Sequence, residues 1–98
     1  MNIQITSRHT KISQDTQDYL RDELENLSKY YDKISSCHVI LDTEHVDKTI
    51  EITMNVLNHS VVAKASADNL GKAVDVALHK VTRQLKKFNE KLKEHKKQ

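Results

Sequence analysis

The sequence predicts an α+β two-layer domain of order β-α-β-β-β-α, with a four-stranded sheet and two helices on one face. Three observations carry that reading. Apolar residues recur at every second position in four segments, and at steps of three and four in two others. A chain with one Gly and no Pro is built of regular elements joined by short polar turns. Ninety-eight residues make one domain, which buries roughly 65% of its unfolded surface and leaves no room for a deep catalytic cavity beside the core.

Ile3 and Ile5 alternate with polar neighbours through Asn2–Ser7, the pattern of a short strand with one buried face. Ser13 then suits a helix N-cap, with Asp15 and Asp18 close to the positive end of the helix dipole. Leu20, Leu24, Leu27 and Tyr31 recur at steps of four, three and four, predicting a helix over Gln14–Tyr30. Three strands follow. Residues 36–44 put Cys37, Val39, Leu41 and Thr43 on one face and His38, Ile40 and Asp42 on the other. Residues 49–57 put Ile50, Ile52, Met54 and Val56 on one face, and Val61, Ala63 and Ala65 mark a last strand ending near Ala67. The polar segment 44–48 is one hairpin connection. Asn58-His59 is the other, because Asn tolerates the left-handed conformation of a two-residue loop.

The last element is the longest. Asp68 or Asn69 can cap it, and Leu70, Val74, Ala77, Val81, Leu85, Phe88 and Leu92 form its apolar stripe. Gly71 in the first turn costs up to ~1 kcal/mol relative to Ala, and nothing in the sequence accounts for it. The first two strands, joined through a helix, are expected to be parallel with a right-handed crossover, and the other pairs are hairpins. Residues 93–98 read as a frayed basic tail.

The formal net charge of +2 hides an uneven distribution. Residues 1–60 carry six Lys/Arg against ten Asp/Glu, and residues 61–98 carry ten against four. A basic face concentrated in one half is the electrostatic footprint of a nucleic-acid partner. On the last helix Lys80, Arg83, Lys87 and Lys91 follow at steps of three, four and four, aligned along one flank of the apolar stripe. Gln84 sits between that row and the core, and Lys72 and Lys86 lie further round. The row spans roughly 16 Å at about 1.5 Å per residue, enough to follow successive phosphates with release of their counterions. A merely solvated face would intersperse acids, and residues 80–87 contain none, although Glu90 and Glu94 follow.

Of the four aromatics, Tyr31 and Phe88 lie in apolar stripes, which leaves Tyr19 and Tyr30. That is too few rings for a stacking platform, so the implied contacts are with phosphate and ribose on a folded RNA. Enzymatic readings are poor. The six histidines (His9, His38, His45, His59, His79, His95) show no metal-ligand spacing, Cys37 faces the core, and one glycine cannot make a phosphate-binding loop. No metal, cofactor or small-molecule substrate is expected. No apolar run approaches the roughly 18 residues of a membrane span, and MNIQITSRHT lacks the apolar core of a signal peptide. With a lone cysteine, these features point to a cytoplasmic protein. An adaptor that uses the basic face to hold an acidic protein is the reading of another class.

Four stretches, IQITSRHTKIS, LSKYYDKI, HVILDTE and KASADNLGKAVDVALHKVTRQLKKFNEKLKEH, resemble the short ribosome hibernation promoting factor family and its ribosome-associated inhibitor paralogue over nearly the whole chain. The most specific part is AVD followed by HKVTRQLKKFNEKL, similar to the family's AID…DKLxRQLxKxKxKL signature. The resemblance implies a fold like a double-stranded-RNA-binding domain with an added first strand. It implies a non-enzymatic factor of stress and stationary phase that sits on the small ribosomal subunit, among ribosomal RNA and neighbouring ribosomal proteins, where messenger RNA and tRNA anticodon stems lie. The chain is expected to be monomeric when free. It carries rRNA contacts to Lys80, Arg83, Gln84, Lys86, Lys87 and Lys91, and to Arg8, Lys11, Arg21, Lys29 and Lys33. Asp75 matches the signature's acid. Where the family often has an aromatic ring before AID, this chain has Gly71, so no contact of that ring carries over. The ending EHKKQ matches the short promoting type, rather than the long factors with a dimerising C-terminal domain or the acidic-tailed inhibitor.

Overall fold

The structure, a computed structural model, describes the backbone of residues 1–96 and the side chains of residues 1–91. Leu92, at the end of the expected stripe, and the basic tail expected at residues 93–98 fall outside the described side chains. The elements are β1 (Asn2–Ser7), α1 (Gln14–Tyr30), β2 (Ile34–Glu44), β3 (Asp47–Val56), β4 (His59–Ala67) and α2 (Leu70–Lys96). The sheet order is β1-β2-β3-β4, with β1 parallel to β2 and both later pairs antiparallel.

α1 begins where a side chain can satisfy its first amides: Ser13 Oγ accepts the Thr16 N–H at 3.1 Å. α2 starts in the same way, and of the two candidate caps it uses Asn69, whose Oδ1 accepts the Lys72 N–H at 2.9 Å. Both helices cover one face of the sheet. Leu20 and Leu24 of α1 and Val74, Ala77, Val81 and Leu85 of α2 meet Val39, Leu41, Ile52, Met54 and Val56, all at most 2% exposed. Ala73 and Leu78 are buried as well, so the apolar stripe of α2 is wider than the sequence pattern indicates. Among the described residues no polar side chain is buried, so cohesion comes from apolar burial and packing.

The boundaries differ from expectation in four places, each with a local cause. β2 starts two residues early, because a bulge between Ile34 and Ser36 keeps Ile34 on the core face opposite Val56 and interrupts the period-2 pattern. β3 starts two residues early as well, at Asp47, since the β2–β3 connection shrinks to His45-Val46, with φ of 56° at His45. The β3–β4 turn is Leu57-Asn58 rather than Asn58-His59. Both residues adopt positive φ, 50° and 67°, as a two-residue hairpin with primed geometry requires. His59 is therefore the first residue of β4, and its ring meets Phe88 edge-on at 5.3 Å.

Candidate nucleic-acid interface

α2 runs back along β4, the edge strand, and the two repeats match. Four helical residues advance about 6 Å and two strand residues about 6.6 Å, so successive turns of the helix meet every second residue of the strand. Lys80 Nζ donates to the Lys64 carbonyl at 2.9 Å, and Gln84 Nε2 donates to the Val62 carbonyl at 2.7 Å. Those carbonyls belong to an edge strand with no neighbouring strand to satisfy them. Lys80 and Gln84 thus close the sheet edge while Lys80 keeps its charge on the surface.

Lys80, Arg83, Gln84 and Lys87 line one shallow concavity of about 340 Å³ against Val62, Ala63 and Lys64. All four are exposed, as is Lys91 further along the same flank. Among the described residues no carboxylate lies within ion-pair distance of Arg83 or Lys87, so their charge is available to a partner. Lys86 is exposed but does not line the concavity. Lys64 belongs to the site and escapes a motif-by-motif reading. Its signal is indirect: Val62, Lys64 and Ser66 alternate out of the core while Val61, Ala63 and Ala65 point in, and the return of α2 sets Lys64 beside Lys80. The Lys64 ammonium lies 3.4 Å from Glu51.

The other expected contact residues are dispersed. Arg8 follows β1, with its amide bonded to the Leu41 carbonyl at 2.7 Å, and shares a groove across the uncovered sheet face with Lys64 and Lys80. Lys11 is exposed in the connection to α1. Arg21 and Lys29 are exposed on α1 among Asp15, Asp18, Asp22, Glu23 and Glu25, and Lys33 lies beyond its end. Leu27, Tyr30 and Tyr31 line a concavity with Leu78 and Thr82 on the flank of α2 away from β4. Arg21, Lys29 and Lys33 are therefore not gathered with the α2 row. Asp75 accepts a hydrogen bond from the Tyr19 hydroxyl at 2.9 Å, joining the two helices and holding that phenol above its ordinary pKa.

The side chains most able to do chemistry are otherwise engaged. Burial pushes the Cys37 thiol up to about 12, so it is no thiolate nucleophile at neutral pH. Asp42 shares a strand face with His38 but pairs with His9 at 3.1 Å. The Thr43 amide first, and His9 second, hold its carboxyl below the usual range. His38 Nε2 lies 3.1 Å from the Thr6 hydroxyl. Among the described residues no group of three or more His, Cys, Asp or Glu is arranged to hold a metal ion, and no helix is long and apolar enough to cross a membrane.

The family model described as Sigma 54 modulation protein / S30EA ribosomal protein matches residues 3–93. A protein of Pseudomonas putida named ribosome hibernation promoting factor is 32% identical over 93% of this chain and 89% of its own length. A protein of Escherichia coli K12 with the same name is 30% identical over 97% of this chain and all of its own. A solved ribosomal subunit interface protein of Coxiella burnetii superposes with a TM-score of 0.85 at 27% identity, covering 92% of this chain and 99% of that one. The N-terminal domain of Thermus thermophilus Protein Y shares the fold, with a TM-score of 0.77 at 23% identity over 90% of this chain and 99% of that one.

Proposed function

The chain belongs to the Sigma 54 modulation protein / S30EA ribosomal protein family, and on that footing we propose that it is a ribosome hibernation factor. It binds the small ribosomal subunit in the decoding region, where messenger RNA and tRNA anticodon stems otherwise lie. There it blocks translation in stress or stationary phase and promotes inactive ribosome dimers. It acts in the cytoplasm, as a monomer when free, by occupying a site and without catalysis. Relatives that span comparable lengths and carry the name ribosome hibernation promoting factor support the role.

The observation that carries the RNA contact is the cationic row on the β4 flank of α2. Arg83 and Lys87 are exposed beside Lys80, Gln84 and Lys64 on a helix and a strand, so little backbone order has to be gained on binding. Lys86 and Lys91 extend the contact on the same helix. Arg8 and Lys11 meet a neighbouring part of the RNA, and Arg21 and Lys29 of α1 make a separate, weaker contact with Lys33 just beyond it.

Reversing charge at Arg83 and Lys87 tests this reading. Arg83→Glu with Lys87→Glu is expected to abolish co-sedimentation with purified small subunits while shifting stability by no more than about 0.5 kcal/mol, as for surface positions. Unchanged co-sedimentation rejects the site. Partners that survive nuclease treatment of a pull-down would point to a protein adaptor instead. Sucrose-gradient profiles of cells with and without the chain read the outcome: loss of dimers on deletion fits promotion of dimers, and loss of single inactive particles fits stabilisation of single ribosomes.

A further inference from the structure

A two-layer domain leaves one face of its sheet to water. Here the residues on that face are sorted along the strands. The registers stack Ser36, Asn55 and Ser60 in one cross-strand row and Gln4, His38, Thr53 and Val62 in the next. The following row brings Glu51 and Lys64 together as an ion pair. Asp42, Glu44 and Asp47 are collected at the β2–β3 hairpin end. The two rows nearest the β3–β4 turn thus carry no carboxylate and no ammonium, and present amides, hydroxyls, one imidazole and the half-exposed Val62.

Part of this set is held in place by hydrogen bonds. Asn55 Nδ2 donates to the Ser36 hydroxyl at 2.7 Å, and the Thr6 hydroxyl lies 3.1 Å from His38 Nε2. Gln4, Ser36, His38, Thr53 and Asn55 line one concavity of about 380 Å³, which Glu51 of the adjoining row also borders. Its rows end at Val62 and Ser60 of β4, and the Val62 carbonyl is the one that Gln84 of the cationic flank holds. The uncharged face and the basic flank therefore meet along one strand.

We propose that this uncharged end of the open sheet face is a second half of the RNA site, which takes ribose 2′-hydroxyls and base edges in the wide, shallow minor groove of a folded RNA while the α2 flank holds its phosphates. The proposal rests on the RNA reading above and specifies its substrate. Phosphate-gripping cations do not tell RNA from DNA, whereas donors and acceptors aimed at the 2′-hydroxyl do. A shallow groove suits a flat sheet, and neutral groups add affinity without releasing counterions. Of the carboxylates on this face, Asp42, Glu44 and Asp47 stand at the far end, and Glu51, in the adjoining row, is paired with Lys64.

The triple variant Gln4→Ala, Thr53→Ala, Asn55→Ala separates this idea from the reading it rests on. Small-subunit affinity is measured against salt for the native and variant proteins, together with affinity for two hairpins of one sequence, one RNA and one DNA. The native protein is expected to prefer the RNA hairpin. The variant is expected to bind small subunits roughly 10-fold more weakly with an unchanged salt slope, and to lose most of its RNA preference. Gln4→Ala alone, at an exposed edge position, gives a smaller shift of the same kind and guards against a misfolded triple variant. Unchanged subunit affinity, a reduced salt slope, or equal native affinity for the two hairpins each overturn the proposal. If Arg83→Glu with Lys87→Glu also leaves subunit binding intact, the functional reading itself fails.

Discussion

Lys80 and Gln84 show how one residue serves two ends. On the sequence they stand in and beside a cationic row, and in the fold their side chains satisfy the Lys64 and Val62 carbonyls of an edge strand. Replacing both by Ala is expected to cost about 1 kcal/mol, the net worth of exposed hydrogen bonds of this kind. It also uncovers an edge that can pair with another copy. Denaturant melts read the first effect, and sedimentation velocity at increasing concentration reads the second. Native stability together with a concentration-independent sedimentation coefficient would show that the two bonds guard nothing. This double role was illegible in the sequence because Lys80 and Lys64 are sixteen residues apart and meet only when α2 folds back along β4.

At the scale of elements, agreement follows where the signal is local. α1 starts and stops where expected because Ser13 caps one end and the Tyr31 amide bonds the Leu27 carbonyl at the other. The first residues of β2 were hidden because the bulge places Ile34 and Cys37 on the same face at an odd spacing. The β3–β4 turn moved by one residue. Either placement keeps the core faces of the two strands together, and cross-strand pairing such as Met54 with Val61 decided between them. Gly71 remains without a structural reason. A Cβ there would meet only Asn69 Oδ1, at 3.5 Å, an ordinary contact. Gly71→Ala should therefore stabilise the protein by up to ~1 kcal/mol, read as a rise in Tm, and leave small-subunit binding unchanged. A destabilised variant would reveal a constraint on that first turn which the packing does not show.

The whole molecule is electrically sorted. Acidic residues prevail on α1 and at the β2–β3 hairpin, and basic ones along the β4 flank of α2. That arrangement orients the protein toward a polyanion while a net charge of only +2 limits indiscriminate binding. If about four phosphates are neutralised, raising monovalent salt from about 50 to about 200 mM should weaken small-subunit binding by about 50- to 150-fold. Filter binding across that range checks it, and a flat response would argue that contacts with ribosomal proteins dominate instead of the cationic row.

The sequence by itself determined the element order, the parallel β1–β2 crossover, the core faces and the basic row on α2. The crossover follows from the helix that joins the two strands. The others follow from periodicity, capping or charge within a single segment, local physics that acts before the chain has folded. The tertiary structure alone decided which of the expected contact residues share a surface. It joined Lys64 to the row, left Arg21 and Lys29 on an acidic helix with Lys33 beyond its end, and set the uncharged end of the open sheet face beside the cations. Those relations depend on strand register and on the direction in which α2 returns. Both are settled by burying the two helices against one common sheet face, an outcome that no single segment encodes.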